Sequence, residues 1–302
     1  MTALDSQYNP VENIFEVGTG SGIVQGTIPN IMWHITDVCP LGCPYCFAPK
    51  TELSLPSGSI EHIVACMKVL GVQKADISGG EPLVHPDFPS IAKNLRAAGI
   101  HATLTTSGVG SKKNRSFVCE NTALFSRVIV SLDGPNEVEH SRLRRYPDAW
   151  SQLVSLLDGI SASEKARCLR VNTVITSKFH SSWIDEFIAS VSAFGVREWC
   201  LIEPHPANAK PEFLSYNSTD EHFSGIVADV VSRDLPFKIL QRTRKLYSSY
   251  WSLQPSGILR QHTLESHDRN EIDLLKADTS LVRSLLTEWN TELPREARHE
   301  ST

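Results

Sequence analysis

Between Asn30 and Val230 the chain switches six times from a short strand-like run to a pattern of helical period, and this alternation limits the folds open to it. The strand-like runs are Asn30–Ile35, Ala75–Ser78, His101–Thr106, Val128–Asp133, Leu169–Ile175 and Glu198–Glu203. Helical spacing puts Ile60, Ile63, Val64, Met67 and Leu70 on one face before Gly71, and Ile91, Ala92 and Leu95 on another before Gly99. Later faces carry Trp150, Leu153, Val154 and Leu157, then Trp183, Ile184, Phe187, Ile188 and Val191. A Ser218-x-x-Glu221 capping box opens the last of them, with Phe223, Ile226, Val227 and Val230 apolar. Strands that alternate with helices pair in parallel through crossover connections. The class is therefore α/β, as an open doubly wound sheet or a barrel, and periodicity does not choose between them.

Bulk properties narrow the function. With 41% hydrophobic residues over 302 positions, the chain can bury a full-sized core as one large domain or as one domain with an appendage. No run reaches the ~18 apolar residues of a membrane span. A net charge of −5 argues against a broad nucleic-acid-binding face. The opening Met1-Thr2-Ala3-Leu4-Asp5 has no basic, apolar signal segment, so a cytoplasmic location is expected. Val17-Gly18-Thr19-Gly20-Ser21-Gly22 is glycine-rich but lacks the helix and the Gly-Lys-Ser/Thr ending of a phosphate loop, and reads as a hairpin or loose leader.

Chemistry concentrates just after the first strand, in Cys39-Pro40-Leu41-Gly42-Cys43-Pro44-Tyr45-Cys46. The spacing C-x3-C-x2-C offers three thiolates on one loop. A zinc site usually takes four protein ligands in paired knuckles, and no second C-x2-C or H-x3-H follows. Seven cysteines, an odd number, fit a disulfide framework poorly. Four-iron clusters are held by cysteine thiolates, normally four, so three would leave one iron open to a small molecule.

This loop, followed by Phe47, resembles the cluster signature of the radical S-adenosylmethionine (SAM) enzymes. The resemblance implies a partial (β/α)6 TIM-type barrel, with residues 1–29 as a leader, 30–235 as the core and 236–302 as a C-terminal extension. Within the extension, Tyr247–Leu253, Pro255-Ser256-Gly257 and Ile258–Thr263 read as a β-hairpin. Leu281, Val282, Leu285, Leu286 and Trp289 then read as a helical face. The cofactors implied are one 4Fe-4S cluster, held by Cys39, Cys43 and Cys46, and SAM, chelated by the open iron. Reductive cleavage of SAM to a 5′-deoxyadenosyl radical would follow, with a reductant such as flavodoxin or ferredoxin as partner.

Further residues match by position. Gly79-Gly80-Glu81-Pro82 looks like the family's GGEP motif, which receives the SAM amino group. Tyr45 resembles the aromatic beside the adenine, Ser131 and Asp133 the ribose or carboxylate contacts of the fourth strand, and Asn172 a fifth-strand ribose contact. Arg142, with Arg144 and Arg145 close by, is the candidate for the SAM carboxylate because arginine forks onto carboxylates. Cys200, on the sixth strand, is a buried thiol or a hydrogen-atom donor. Glu203, at that strand's end, could line a substrate mouth with His205, Lys210, Arg242, Arg244 and Lys245.

No cysteine follows Cys200, so a single cluster is expected. The substrate expected is a small molecule or nucleotide, since the fifth strand and Ser249-Tyr250-Trp251 are loosely similar to viperin-type nucleotide dehydratases. A peptide substrate and a non-catalytic iron–sulfur sensor or scaffold are the alternatives. The GTP cyclase of molybdenum cofactor synthesis is disfavoured for want of its C-terminal cysteine triplet and glycine tail.

Overall fold

The computed structural model describes residues 11–13, 27–46, 48, 50–204, 214–244, 250–262 and 270–288. All six expected strands form: β2 (Asn30–Thr36), β3 (Lys74–Gly79), β4 (His101–Thr106), β5 (Phe125–Ser131), β6 (Leu169–Val174) and β7 (Glu198–Ile202). Each pairs in parallel with the next. The sheet continues past residue 235, because β8 (Lys238–Arg242) pairs in parallel with β7, and β1 (Val11–Asn13) pairs with β8. On the other side β9 (Tyr250–Leu253) runs parallel to β2, followed by the antiparallel β10 (Ile258–His262) and β11 (Glu271–Asp273). The strand order is β1-β8-β7-β6-β5-β4-β3-β2-β9-β10-β11. The first and last strands of this order do not pair among the described residues, so the sheet wraps without closing. The hairpin expected after Tyr247 is β9–β10; residues 245–249 and 263–269 lie outside the described residues.

The helices are α1 (Ile60–Val69), α2 (Phe88–Ala97), α3 (Lys112–Glu120), α4 (Glu137–Arg144), α5 (Ala149–Gly159), α6 (Ala162–Cys168), α7 (Ile184–Ala193), α8 (Asp220–Val231) and α9 (Thr279–Glu288). The expected faces of α1, α2 and α8 are buried. In α7 the stacked Phe187 and Trp199 rings, 5.7 Å between centroids, pin the helix to β7. The cap of α8 falls one residue later than expected: Thr219 Oγ1 accepts from His222 N at 3.1 Å, while Ser218 is buried. In α9, Val282 and Leu286 are buried, but Leu281 is exposed and Trp289 lies outside the described residues. No described helix is long and apolar enough to cross a membrane.

Strand side chains alternate between two environments because their period is two. Trp33, Ile35, Ile77, Leu104, Val128, Val130, Val171, Leu201 and Ile239 join the apolar core. Their neighbours His34, Asp76, Ser78, Thr103, Thr105, Arg127, Ser131, Arg170, Asn172, Cys200 and Arg242 line a cavity of about 390 Å³ on the other face of the sheet. Such a volume suits a small-molecule site.

Candidate active site

The cysteine loop leaves β2 and is tied at several points to the elements around it. Gly42 N donates to Arg144 O at 2.9 Å, Lys50 Nζ to Leu41 O at 2.8 Å, and Cys46 N to Cys43 O at 3.3 Å. Cys39, Cys43 and Cys46 are free, partly buried and all line the cavity. Burial pushes the Cys39 thiol up to about 12, and burial followed by the neighbouring Cys43 raises Cys46. Thiols in so dry a loop gain their anionic form by sharing a cation.

The glycines after β3 exist because backbone passes very close to them. A Cβ on Gly79 would lie 2.1 Å from Thr36 O, and the residue holds φ at +135°. A Cβ on Gly80 would lie 2.4 Å from Val38 O and 2.6 Å from Asp37 O. With no side chain in the way, Gly80 N reaches Thr36 O at 2.6 Å and Glu81 N reaches Val38 O at 2.9 Å. The Gly-Gly-Glu-Pro segment thereby braces the stem of the cysteine loop. Glu81 is fully buried, and its carboxylate accepts from Leu83 N, Thr106 Oγ1, Ser107 N and Ser107 Oγ within 3.0 Å. Burial raises its pKa, and these donors oppose the rise. Pro82 opens the short 3-10 turn that Glu81 caps.

At the end of β5, Asp133 gathers a network. Its Oδ2 accepts from Tyr45 Oη at 2.6 Å and pairs with Arg144 Nη2 at 2.7 Å; its Oδ1 accepts from Val174 N at 2.9 Å. Burial pulls the Arg144 pKa down, but Asp133, followed by Tyr45 and Cys43, raises it well above its ordinary value, so the guanidinium stays charged. Arg144 Nη1 also lies 3.6 Å from Cys43 Sγ.

With that geometry in place, residues 33–165 match the family model of the Radical SAM superfamily. That stretch carries a radical SAM domain. It is 22% identical over 300 residues to an S-adenosylmethionine-dependent nucleotide dehydratase of Lacinutrix mariniflava, covering 90% of this chain and 61% of the relative. It is 27% identical over 222 residues to a GTP 3',8-cyclase of Brucella abortus, covering 68% of this chain and 61% of the cyclase. It thus spans about three fifths of the length of these curated relatives. In fold it is similar to Streptococcus suis SuiB bound to the precursor peptide SuiA, with a TM-score of 0.66, 15% identity, and coverage of 87% of this chain and 65% of SuiB. It is likewise similar to anSMEcpe with bound AdoMet and the Cp18Cys peptide, with a TM-score of 0.61, 13% identity, and coverage of 87% and 80%.

The cavity fits the cofactors of a radical SAM domain. Among the described residues no His, Cys, Asp or Glu side chains converge as a ready pocket for a metal ion. Cys39, Cys43 and Cys46 line one cavity, and cysteine thiolates are the donor set that holds an iron–sulfur cluster. Asn172 lines the same cavity, and its buried Oδ1 has no hydrogen-bond partner, an acceptor left for a ligand. Ser131 lines the cavity beside it. Tyr45 and Asp133 line it too, but they turn their polar atoms on each other.

Two expected site residues lie elsewhere. Arg142 points out from α4, half-exposed, and pairs with Glu139 at 2.5 Å in the i,i+3 position, so the arginine at the cavity is Arg144. Two positions along a helix rotate the side-chain direction by about 200°, enough to swing one side chain to solvent and the other inward. Glu203 is buried outside the cavity lining, held by Arg244 Nε at 3.1 Å and Arg244 N at 2.8 Å. Arg244 is thereby bound to Glu203, whereas Arg242 lines the cavity. His205, Lys210 and Lys245 lie outside the described residues. Cys200 is fully buried on the cavity wall, and burial pushes its thiol up to about 12. Sequence reading passed over His34, Lys74, Asp76, Arg127 and Arg170, which also line the cavity. Their signal was a polar side chain at every second position within otherwise apolar strands.

Proposed function

We propose that the chain is a radical SAM enzyme whose substrate is an anionic small molecule of the nucleotide class. Cys39, Cys43 and Cys46 would hold one 4Fe-4S cluster. Gly79-Gly80, Ser131 and Asn172 would cradle SAM. Bound there, the cluster would supply the electron that splits SAM into methionine and a 5′-deoxyadenosyl radical able to take hydrogen from a C–H bond.

The observation that carries the substrate class is the charge of the inner wall. Lys74 on β3, Arg127 on β5, Arg170 on β6 and Arg242 on β8 all line the cavity. Arg127 and Arg170 both pair with Glu198, at 3.0 and 2.6 Å. Asp76, half-buried, has its own pKa raised by burial, against the hydrogen bonds that Thr103 and Thr105 donate to it and the charges of Arg242 and Lys74. Cationic side chains in a partly buried, low-dielectric cleft attract phosphates strongly. Lys74, Arg127 and Arg170 lie toward the N-terminal ends of their strands. Arg242, at the C-terminal end of β8, is close enough to Asp76 to act on its carboxyl. These positions support a substrate whose anionic end lies deep and whose sugar or base lies toward the cysteine loop.

The test is deuterium transfer into 5′-deoxyadenosine. Anaerobically reconstituted protein, holding about four irons per chain, is given SAM, dithionite and deuterated nucleoside mono-, di- and triphosphates. Transfer from a nucleotide, with KM raised at least tenfold in Arg242→Gln and kcat little changed, supports the reading. Transfer from an uncharged metabolite or a peptide alone overturns it.

A further inference from the structure

Arg144 makes two contacts that the cofactor cradle does not explain. Its guanidinium reaches the sulfur of Cys43 at 3.6 Å through Nη1 and the carboxylate of Asp133 at 2.7 Å through Nη2. Its side chain is 10% exposed, and that of Asp133 is 1% exposed. The spacing is rigid because the end of α4 is fastened to the cysteine loop. Gly42 N donates to Arg144 O at 2.9 Å, and a Cβ on Gly42 would lie 3.0 Å from Arg145 Cβ. A buried cation within reach of a ligand sulfur favours the electron-rich form of an iron–sulfur centre, and donation to the sulfur acts in the same direction. A buried anion just behind that cation opposes it.

We infer that Arg144 raises the reduction potential of a cluster held through Cys43 and that Asp133 sets how far. The pair is a potential-tuning device built from the fifth strand and the helix after it. This inference rests on the cluster assignment proposed above, and it is independent of what the substrate is. Arg144 acts through Cys43 and is therefore a positioning and tuning residue for electron uptake, the one-electron reduction of the cluster by an external donor such as dithionite.

The experiment is an anaerobic redox titration of the reconstituted full chain, followed by the electron paramagnetic resonance signal of the reduced cluster. SAM is left out so that contacts with the cofactor do not enter. Arg144→Met is expected to lower the midpoint potential, and Asp133→Asn to raise it. Each change should be about tenfold in the reduction equilibrium, which is about 59 mV for one electron. Opposite signs are required, since a merely structural perturbation has no reason to split them. Potentials that stay put, or move the same way, in variants with full iron content overturn the inference and leave the cluster assignment standing. If Arg144→Met fails to fold around the uncompensated Asp133 charge, Asp133→Asn decides alone: a raised potential supports the inference, and an unchanged or lowered one overturns it. Wild-type protein that takes up no cluster overturns both readings.

Discussion

The hydroxyl of Tyr45 donates to the carboxylate of Asp133 across 2.6 Å, joining two residues 88 positions apart. One belongs to the cysteine loop and the other follows β5, so this hydrogen bond is one of the ties between the loop and the sheet. Asp133 keeps Arg144 and Val174 N if the bond is lost. Tyr45→Phe should therefore cost only about 1–2 kcal/mol of stability. Denaturant unfolding checks this, and an unchanged midpoint would show that the bond does not hold the loop.

Glycine at position 80 is a steric necessity. Gly80→Ala drives a methyl into the carbonyls of Asp37 and Val38, which form the stem of the cysteine loop. Iron uptake on reconstitution should fall severalfold. Gly58→Ala, where nothing lies within 4 Å of the added carbon, should leave it unchanged. Equal iron content in the two variants would refute the bracing role.

Glu81 supports the fold as well as the cavity wall. Glu81→Gln presents an amide to a site where four donors converge, leaving at least one buried donor without an acceptor. A loss of about 1–3 kcal/mol follows from the cost of an unsatisfied buried group. Thermal unfolding of the apoprotein reads this directly, before SAM affinity is measured.

The two neighbouring arginines of α4 should behave in opposite ways. Arg142 is half-exposed and held by one helical ion pair, worth a few tenths of a kcal/mol. Arg142→Ala should leave stability and SAM binding within error of the parent. A loss of SAM affinity in calorimetry would return Arg142 to the site.

Burial, and then Arg144, depress the His140 imidazole well below its ordinary value, and the ring accepts from Asp133 N through Nδ1 at 3.2 Å. The folded chain resists protonation that the unfolded chain accepts near pH 6.5. This contribution is present above that value and is lost as pH falls below it, by at most about 1.4 kcal/mol per pH unit. The raised carboxyls of Asp76 and Glu81 work in the other sense, gaining stability as pH falls through their folded values. Comparing parent with His140→Gln cancels those carboxyls. The parent should lose stability faster than the variant below about pH 6.5, and identical slopes would exclude His140 as the source.

Local chemistry made much of this protein legible in advance. Period-two and period-3.6 patterns marked six strands and most of the helices, because burying one face is a local demand on sequence. The C-x3-C-x2-C loop and the Gly-Gly-Glu-Pro turn were readable for the same reason, since each is complete within a few residues. Elements whose faces are mostly polar escaped notice: α3, where Asn114 and Val118 alone are buried, and β8, with the polar Lys238, Gln241 and Arg242 among its five residues. Relationships across the sheet were settled only by the tertiary structure. Nothing local says that Arg144 turns inward while Arg142 faces solvent, that Glu203 spends itself on Arg244, or that Lys74, Arg127 and Arg170 share one cavity. Those outcomes depend on strand register and on how the helix after β5 docks, and both are fixed by contacts between residues tens of positions apart.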